Sequence, residues 1–95
     1  MPDELLATFS VHRLQILAES GEADAALLPA LSETEIRRLH ELTVLARTFD
    51  ERALSLQREG RIGTYPPILG QEAAQVGSAF ALRPDDWVFP SFREM

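Results

Sequence analysis

Leu31-Ser32-Glu33-Thr34-Glu35-Ile36-Arg37-Arg38-Leu39-His40-Glu41-Leu42 opens the best-patterned stretch of the chain. Ser32 followed three residues later by Glu35 fits a capping box. The serine hydroxyl accepts from the Glu35 amide, and the Glu35 side chain reaches back to the Ser32 amide. Leu31 and Ile36 stand at the N′ and N4 positions of a hydrophobic staple. Apolar residues then recur at Ile36, Leu39, Leu42, Leu45-Ala46, Phe49, Ala53 and Leu56, every three or four residues, which is the period of one helix face. Gly60 is a natural C′ stop. The spacing predicts a helix of about 27 residues, roughly 40 Å long at 1.5 Å per residue. An apolar face of that length in so small a domain needs a partner surface.

Downstream lies Arg61-Ile62-Gly63-Thr64-Tyr65-Pro66-Pro67-Ile68-Leu69-Gly70. Its two prolines forbid regular helix and hold Tyr65 and Pro66 extended, so this is a loop. A second helix is predicted from Gln71 to about Leu82. It is rich in small residues (Ala73, Ala74, Gly77, Ser78, Ala79, Ala81) that let another backbone approach closely, and Glu72 in its first turn suits the positive end of the helix dipole. Arg83-Pro84-Asp85-Asp86 reads as a turn, and Trp87-Val88-Phe89 as a brief strand ended by Pro90. Upstream, residues 1–31 are the least patterned part. The alternation from Phe9 to Leu17 suits a half-buried strand or the extension of a short helix from Leu5, and Gly21 marks a turn. This segment is expected to be an extension carrying a short hairpin or strand.

Composition narrows the function classes. With 95 residues the chain forms one small domain at most, burying only roughly 60–65% of its unfolded surface. A hydrophobic fraction of 45% and a charged fraction of 25% are those of a globular chain. The net charge of −6 argues against nucleic acid as a partner, because phosphate backbones select for clustered basic side chains. The absence of cysteine excludes disulfides and thiolate metal sites and is compatible with a cytoplasmic location, the expectation adopted here. The acidic start and the lack of a long apolar run predict neither a secretory signal nor a membrane-spanning helix.

Few residues carry chemistry by pattern alone. His12 and His40 lack a second histidine or carboxylate at metal-ligand spacing. Gly60, Gly63 and Gly70 match no phosphate-loop spacing, and no Ser-His-Asp or Cys-His arrangement is present. Asp85-Asp86 is explained more simply by a turn than by a cation. Arg47 with Glu51, beside Asp50 and Arg52, reads as a solvated face carrying an i,i+4 charge pair or as an inter-subunit contact. Arg93, after Ser91 and Phe92 and just past the predicted strand, reads either as a solvated arginine or as a planar fork of donors for a diphosphate.

Several motifs, in order, carry a resemblance. They are Leu31-Ser32-Glu33 through Arg47-Thr48-Phe49-Asp50-Glu51-Arg52-Ala53, then Gln57-Arg58-Glu59-Gly60-Arg61-Ile62-Gly63, Gly70-Gln71-Glu72-Ala73, Val76-Gly77 and Leu82-Arg83-Pro84-Asp85-Asp86. From about residue 28 to 95 the chain is similar to the beginning of the alpha subunit of the 2-oxo acid dehydrogenase E1 component, of the bacterial pyruvate or branched-chain type. The resemblance implies an oxidoreductase acting as an α2β2 heterotetramer with thiamine diphosphate and Mg2+. Its family decarboxylates a 2-oxo acid substrate and acylates the lipoyl group of E2, with the E1 beta subunit and the E2 lipoyl acyltransferase as partners. It implies a fold that is mostly α in this stretch, with residues 32–95 the start of an α/β thiamine diphosphate-binding domain. It also implies that Arg93, Phe92 and Ser91 contact the cofactor diphosphate. The family usually has tyrosine where this chain has Phe92, so one hydroxyl donor is missing. Tyr65 and the proline loop are placed near the active-site mouth by the same resemblance. No catalytic residue and no Mg2+ ligand is expected within these residues, and the chain alone is expected to be inactive. The alternative is a non-enzymatic helical interaction module that docks through its long helix.

Overall fold

Helix α1 runs from Glu33 to Arg58, 26 residues, and begins where its cap predicts. Ser32 holds extended dihedrals, its hydroxyl accepts from the Glu35 amide at 3.2 Å, and Glu35 Oε2 accepts from the Ser32 amide at 2.8 Å. Two otherwise orphaned donors are thereby satisfied, and the Ser32 amide, aided by the Ser32 hydroxyl, holds the Glu35 carboxyl below its ordinary pKa. The helix ends in a Schellman motif: the Gly60 amide donates to Gln57 O at 3.0 Å and the Arg61 amide to Leu56 O at 2.9 Å. Gly60 makes this turn at φ 73°, where a Cβ would strain the backbone.

These observations come from a computed structural model that describes residues 2–94. All regular structure among them is helical, α1 followed by α2 (Glu72–Phe80), in agreement with the mostly α expectation. Helix α2 starts one residue later and stops two residues earlier than predicted, and no side chain caps its first turn. It packs against α1. The chain divides into two units, Met1–Ala30 and Leu31–Met95.

In the first unit, residues 2–15 form no strand. The alternation from Phe9 to Leu17 finds no partner ladder among the described residues, and Phe9 and Val11 stay exposed. An antiparallel bridge pairs Leu17 with Ala23 around a tight turn at Gly21 (φ 89°), closed by Gly21 N to Ala18 O at 3.0 Å and Asp24 N to Ile16 O at 2.8 Å.

In the second unit the buried stripe of α1 is Ala46, Asp50 and Ala53, at i, i+4 and i+7. Of the predicted apolar face, Ala46 and Ala53 are buried and Leu39, Leu42 and Leu56 half-buried, while Ile36, Leu45 and Phe49 remain more than half exposed. A further expectation fails. Trp87-Val88-Phe89 is not a strand, since no neighbouring strand accepts its backbone bonds among the described residues; the Trp87 and Phe89 rings stack on one another at 6.5 Å and stay exposed. In α2, a Cβ built on Gly77 meets nothing within 4 Å. The turn at 83–86 forms as expected. Asp86 Oδ2 accepts from the Arg83 amide at 2.8 Å, and the Asp86 amide donates to Arg83 O at 3.0 Å.

Candidate functional site

The loop between the helices is held by two buried acids. Asp50, 2% exposed on α1, places Oδ1 2.8 Å from the Tyr65 hydroxyl and 2.8 Å from the Ile68 amide, both of which donate to it. Its lone pairs serve the stretch where Pro66 and Pro67 supply no N–H. Tyr65 meets Phe49 edge-on, with ring centroids 6.3 Å apart. Burial, with the bond to Asp50 and its negative charge, pushes the Tyr65 phenol up to about 12.

The second acid is Glu72, 3% exposed in the first turn of α2. Arg47 Nε donates to its Oε1, and the Gly70 amide donates to its Oε2 at 2.9 Å. The bond from Arg47, aided by backbone amides, holds the Glu72 carboxyl down to about 2. Gly70 takes φ 87° as the Gln71 amide donates to Ile68 O at 2.8 Å, a turn whose third residue favours glycine. Charge patterning alone reads Arg47 and Asp50 as part of a solvated face or an inter-subunit contact. The structure instead joins Arg47 to Glu72 and buries Asp50, because both acids find partners far along the chain.

These anchors shape a cleft of about 340 Å³ lined by Phe49, Tyr65, Pro66, Ile68, Phe92, Arg93 and Glu94. Arg93 Nη1 donates to Pro67 O at 3.3 Å, the Gln75 side-chain amide donates to Arg93 O at 2.8 Å, and the Arg93 guanidinium carbon lies 5.1 Å from the Phe92 ring centroid. Among the described residues Arg93 meets no carboxylate at ion-pair distance. The Ser91 and Phe92 amides donate to Glu94 Oε2 at 3.1 and 2.7 Å, and the Ser91 hydroxyl lies 3.5 Å from Oε1. The Phe92 amide chiefly holds the Glu94 carboxyl below its usual range. The Ser91-Phe92 backbone thus already cradles an anion, and the adjoining cleft wall is aromatic and aliphatic. Such a site suits an anion attached to an apolar or aromatic body.

His12 shares a 2.8 Å contact between its Nε2 and Ser10 Oγ on an exposed segment of the other unit. Among the described residues no three histidines, aspartates or glutamates gather as a metal-ligating group. No helix of the described residues is long and apolar enough to cross a membrane. A larger apolar groove, about 600 Å³, runs between the helices over Leu42, Leu45, Phe49, Val76 and Phe80.

The chain belongs to the dehydrogenase E1 component family, which matches residues 40–95 and so includes both buried acids and the cleft. Among its relatives, the pyruvate dehydrogenase E1 component subunit alpha of Bacillus cereus is 43% identical over 83 residues, covering 86% of this chain and 22% of that protein. The 3-methyl-2-oxobutanoate dehydrogenase subunit alpha of Mycobacterium tuberculosis is 38% identical over 96 residues, covering 99% of this chain and 26% of that protein. The corresponding pyruvate dehydrogenase subunit of Staphylococcus aureus is 40% identical over 83 residues. The chain spans about a quarter of the length of these curated relatives. No solved structure matches it.

Proposed function

We propose that these residues are the N-terminal portion of an E1 alpha subunit of a 2-oxo acid dehydrogenase complex, and that the cleft at Arg93 receives the diphosphate of thiamine diphosphate. The observation that carries the reading is the cleft itself. An arginine fork without a carboxylate partner among the described residues stands beside two backbone amides that already donate to a carboxylate. The fit to a diphosphate is chemical: Arg93 supplies charge and planar donors, and the Ser91 and Phe92 amides and the Ser91 hydroxyl supply further donors once Glu94 gives way. Phe92 contributes a ring face and no hydroxyl.

When bound, the thiazolium supplies the carbanion chemistry for decarboxylating a 2-oxo acid. This chain's own residues hold and orient the anion. Arg93 neutralises part of its charge, and Phe49, Tyr65, Pro66 and Ile68 exclude water along one wall. Mg2+, an E1 beta subunit, a lipoyl-bearing E2 and a cytoplasmic setting belong to the same proposal. Its support is the family membership and relatives named as alpha subunits of pyruvate and 3-methyl-2-oxobutanoate dehydrogenases. The test is calorimetric titration of the assembled full-length protein with thiamine diphosphate. Arg93→Ala should weaken binding by about 1.5–3 kcal/mol, the worth of a charge-assisted hydrogen bond; unchanged affinity would remove Arg93 from the site.

A further inference from the structure

The Pro67 carbonyl and the Ile68 amide belong to one peptide group. Its N–H end donates to Asp50 Oδ1 at 2.8 Å and its C=O end accepts from Arg93 Nη1 at 3.3 Å. A peptide group is planar and stiff, so fixing one end fixes the direction of the other. We infer that Asp50 is a positioning residue for the cleft: it orients the Pro67–Ile68 peptide plane, and through that plane the guanidinium of Arg93. The inference rests on the diphosphate reading above.

Three features favour this role over simple packing. Asp50 and Ile68 are each 2% exposed, so water does not compete for the bond that sets the plane. The same Oδ1 also takes the Tyr65 hydroxyl, which pins the wall on the other side of the two prolines. The stretch it spans has no amide hydrogens at Pro66 or Pro67 with which to hold itself. In addition, a peptide group with a carboxylate at its N–H and a guanidinium at its C=O is polarised from both ends, which strengthens the buried bond to Asp50. Arg93 is thereby held beside the cleft at the modest cost of one of its donors, leaving the rest of the fork for a ligand.

The test is titration of the assembled full-length protein with thiamine diphosphate, comparing wild type with Asp50→Ala, Asp50→Asn, Arg93→Ala and Ser32→Ala. Asp50→Ala should raise Kd about tenfold, and Asp50→Asn, whose Oδ1 still accepts both bonds, should restore it to within about threefold of wild type. Ser32→Ala weakens the α1 cap without touching the loop and should leave Kd unchanged, which separates positioning from general destabilisation. If Arg93→Ala weakens binding while Asp50→Ala binds as wild type, the positioning role is overturned and the diphosphate reading stands. If Arg93→Ala is without effect, the diphosphate reading fails and the positioning role falls with it. Should Asp50→Ala not fold, Asp50→Glu decides, since it keeps the charge but moves the oxygens by about one carbon–carbon bond, 1.5 Å. A tenfold loss is expected, and a wild-type Kd would overturn the role.

Discussion

Asp50 and Arg93 hold opposite ends of the Pro67–Ile68 peptide group, one from the middle of α1 and the other from the segment after α2. Removing the acid therefore exposes a measurable amide. Asp50→Ala leaves the Ile68 N–H and the Tyr65 hydroxyl without their acceptor, a cost of about 1–3 kcal/mol for a buried polar group. At about 0.59 kcal/mol per e-fold, hydrogen exchange at the Ile68 amide should accelerate roughly 5- to 150-fold. Unaltered exchange at Ile68 would mean that the bond to Asp50 does not hold the loop.

Tyr65 is the single tyrosine of the chain, so its ionisation can be read at 295 nm without overlap from another phenol. The midpoint should lie near 12, against 10.0 for an unperturbed phenol. A folded-state pKa raised in this way contributes stability that is fully present below about 10 and is lost as pH rises toward about 12. Asp50→Asn removes the neighbouring negative charge and should bring the midpoint downward. An ordinary midpoint in the wild type would contradict the Asp50–Tyr65 bond.

Glu72 behaves in the opposite sense. Its carboxyl is held to about 2, below the ordinary 4.5, so the stabilisation it gives is present above about 4.5 and disappears as pH falls toward 2. Following helix content by circular dichroism through this window should show an acid-induced loss, and Glu72→Gln should flatten it. An acid limb unchanged by Glu72→Gln would assign the transition to other carboxylates.

What the sequence revealed follows from how local each interaction is. The α1 start was legible because Ser32 and Glu35 are three residues apart and satisfy each other, and its end because Gly60 supplies a positive φ. The buried acids were not legible. Asp50 meets Ile68 18 residues later and Arg47 meets Glu72 25 residues later, so i,i+4 charge patterning pointed Arg47 at Glu51 instead. A trace of the answer was present: Asp50 stands between Ala46 and Ala53 on one stripe, where an acid among small residues marks a buried partner. The expectation of a strand at 87–89 failed for a related reason, because a strand exists only with a neighbour to pair with. The wall of the cleft depends on the Asp50 contacts and was equally hidden, while Arg93, Phe92 and Ser91 came from the family resemblance.

The second unit leaves Ile36, Val44, Leu45, Phe49, Leu69, Trp87 and Phe89 more than half exposed. Apolar surface on that scale associates in water. The 95-residue chain on its own should sediment as oligomers or aggregates whose proportion rises with concentration. A stable monomer with cooperative melting would instead favour the helical interaction module.

The central claim is that Arg93 grips phosphate, and its most direct test compares ligands that differ only there. Titrating the assembled full-length protein with thiamine diphosphate and with unphosphorylated thiamine gives the affinity advantage conferred by the diphosphate, in wild type and in Arg93→Ala. The account predicts that Arg93→Ala weakens thiamine diphosphate by roughly 10- to 150-fold, the equivalent of about 1.5–3 kcal/mol, and leaves thiamine unchanged. Equal losses for both ligands, or none for either, would contradict it.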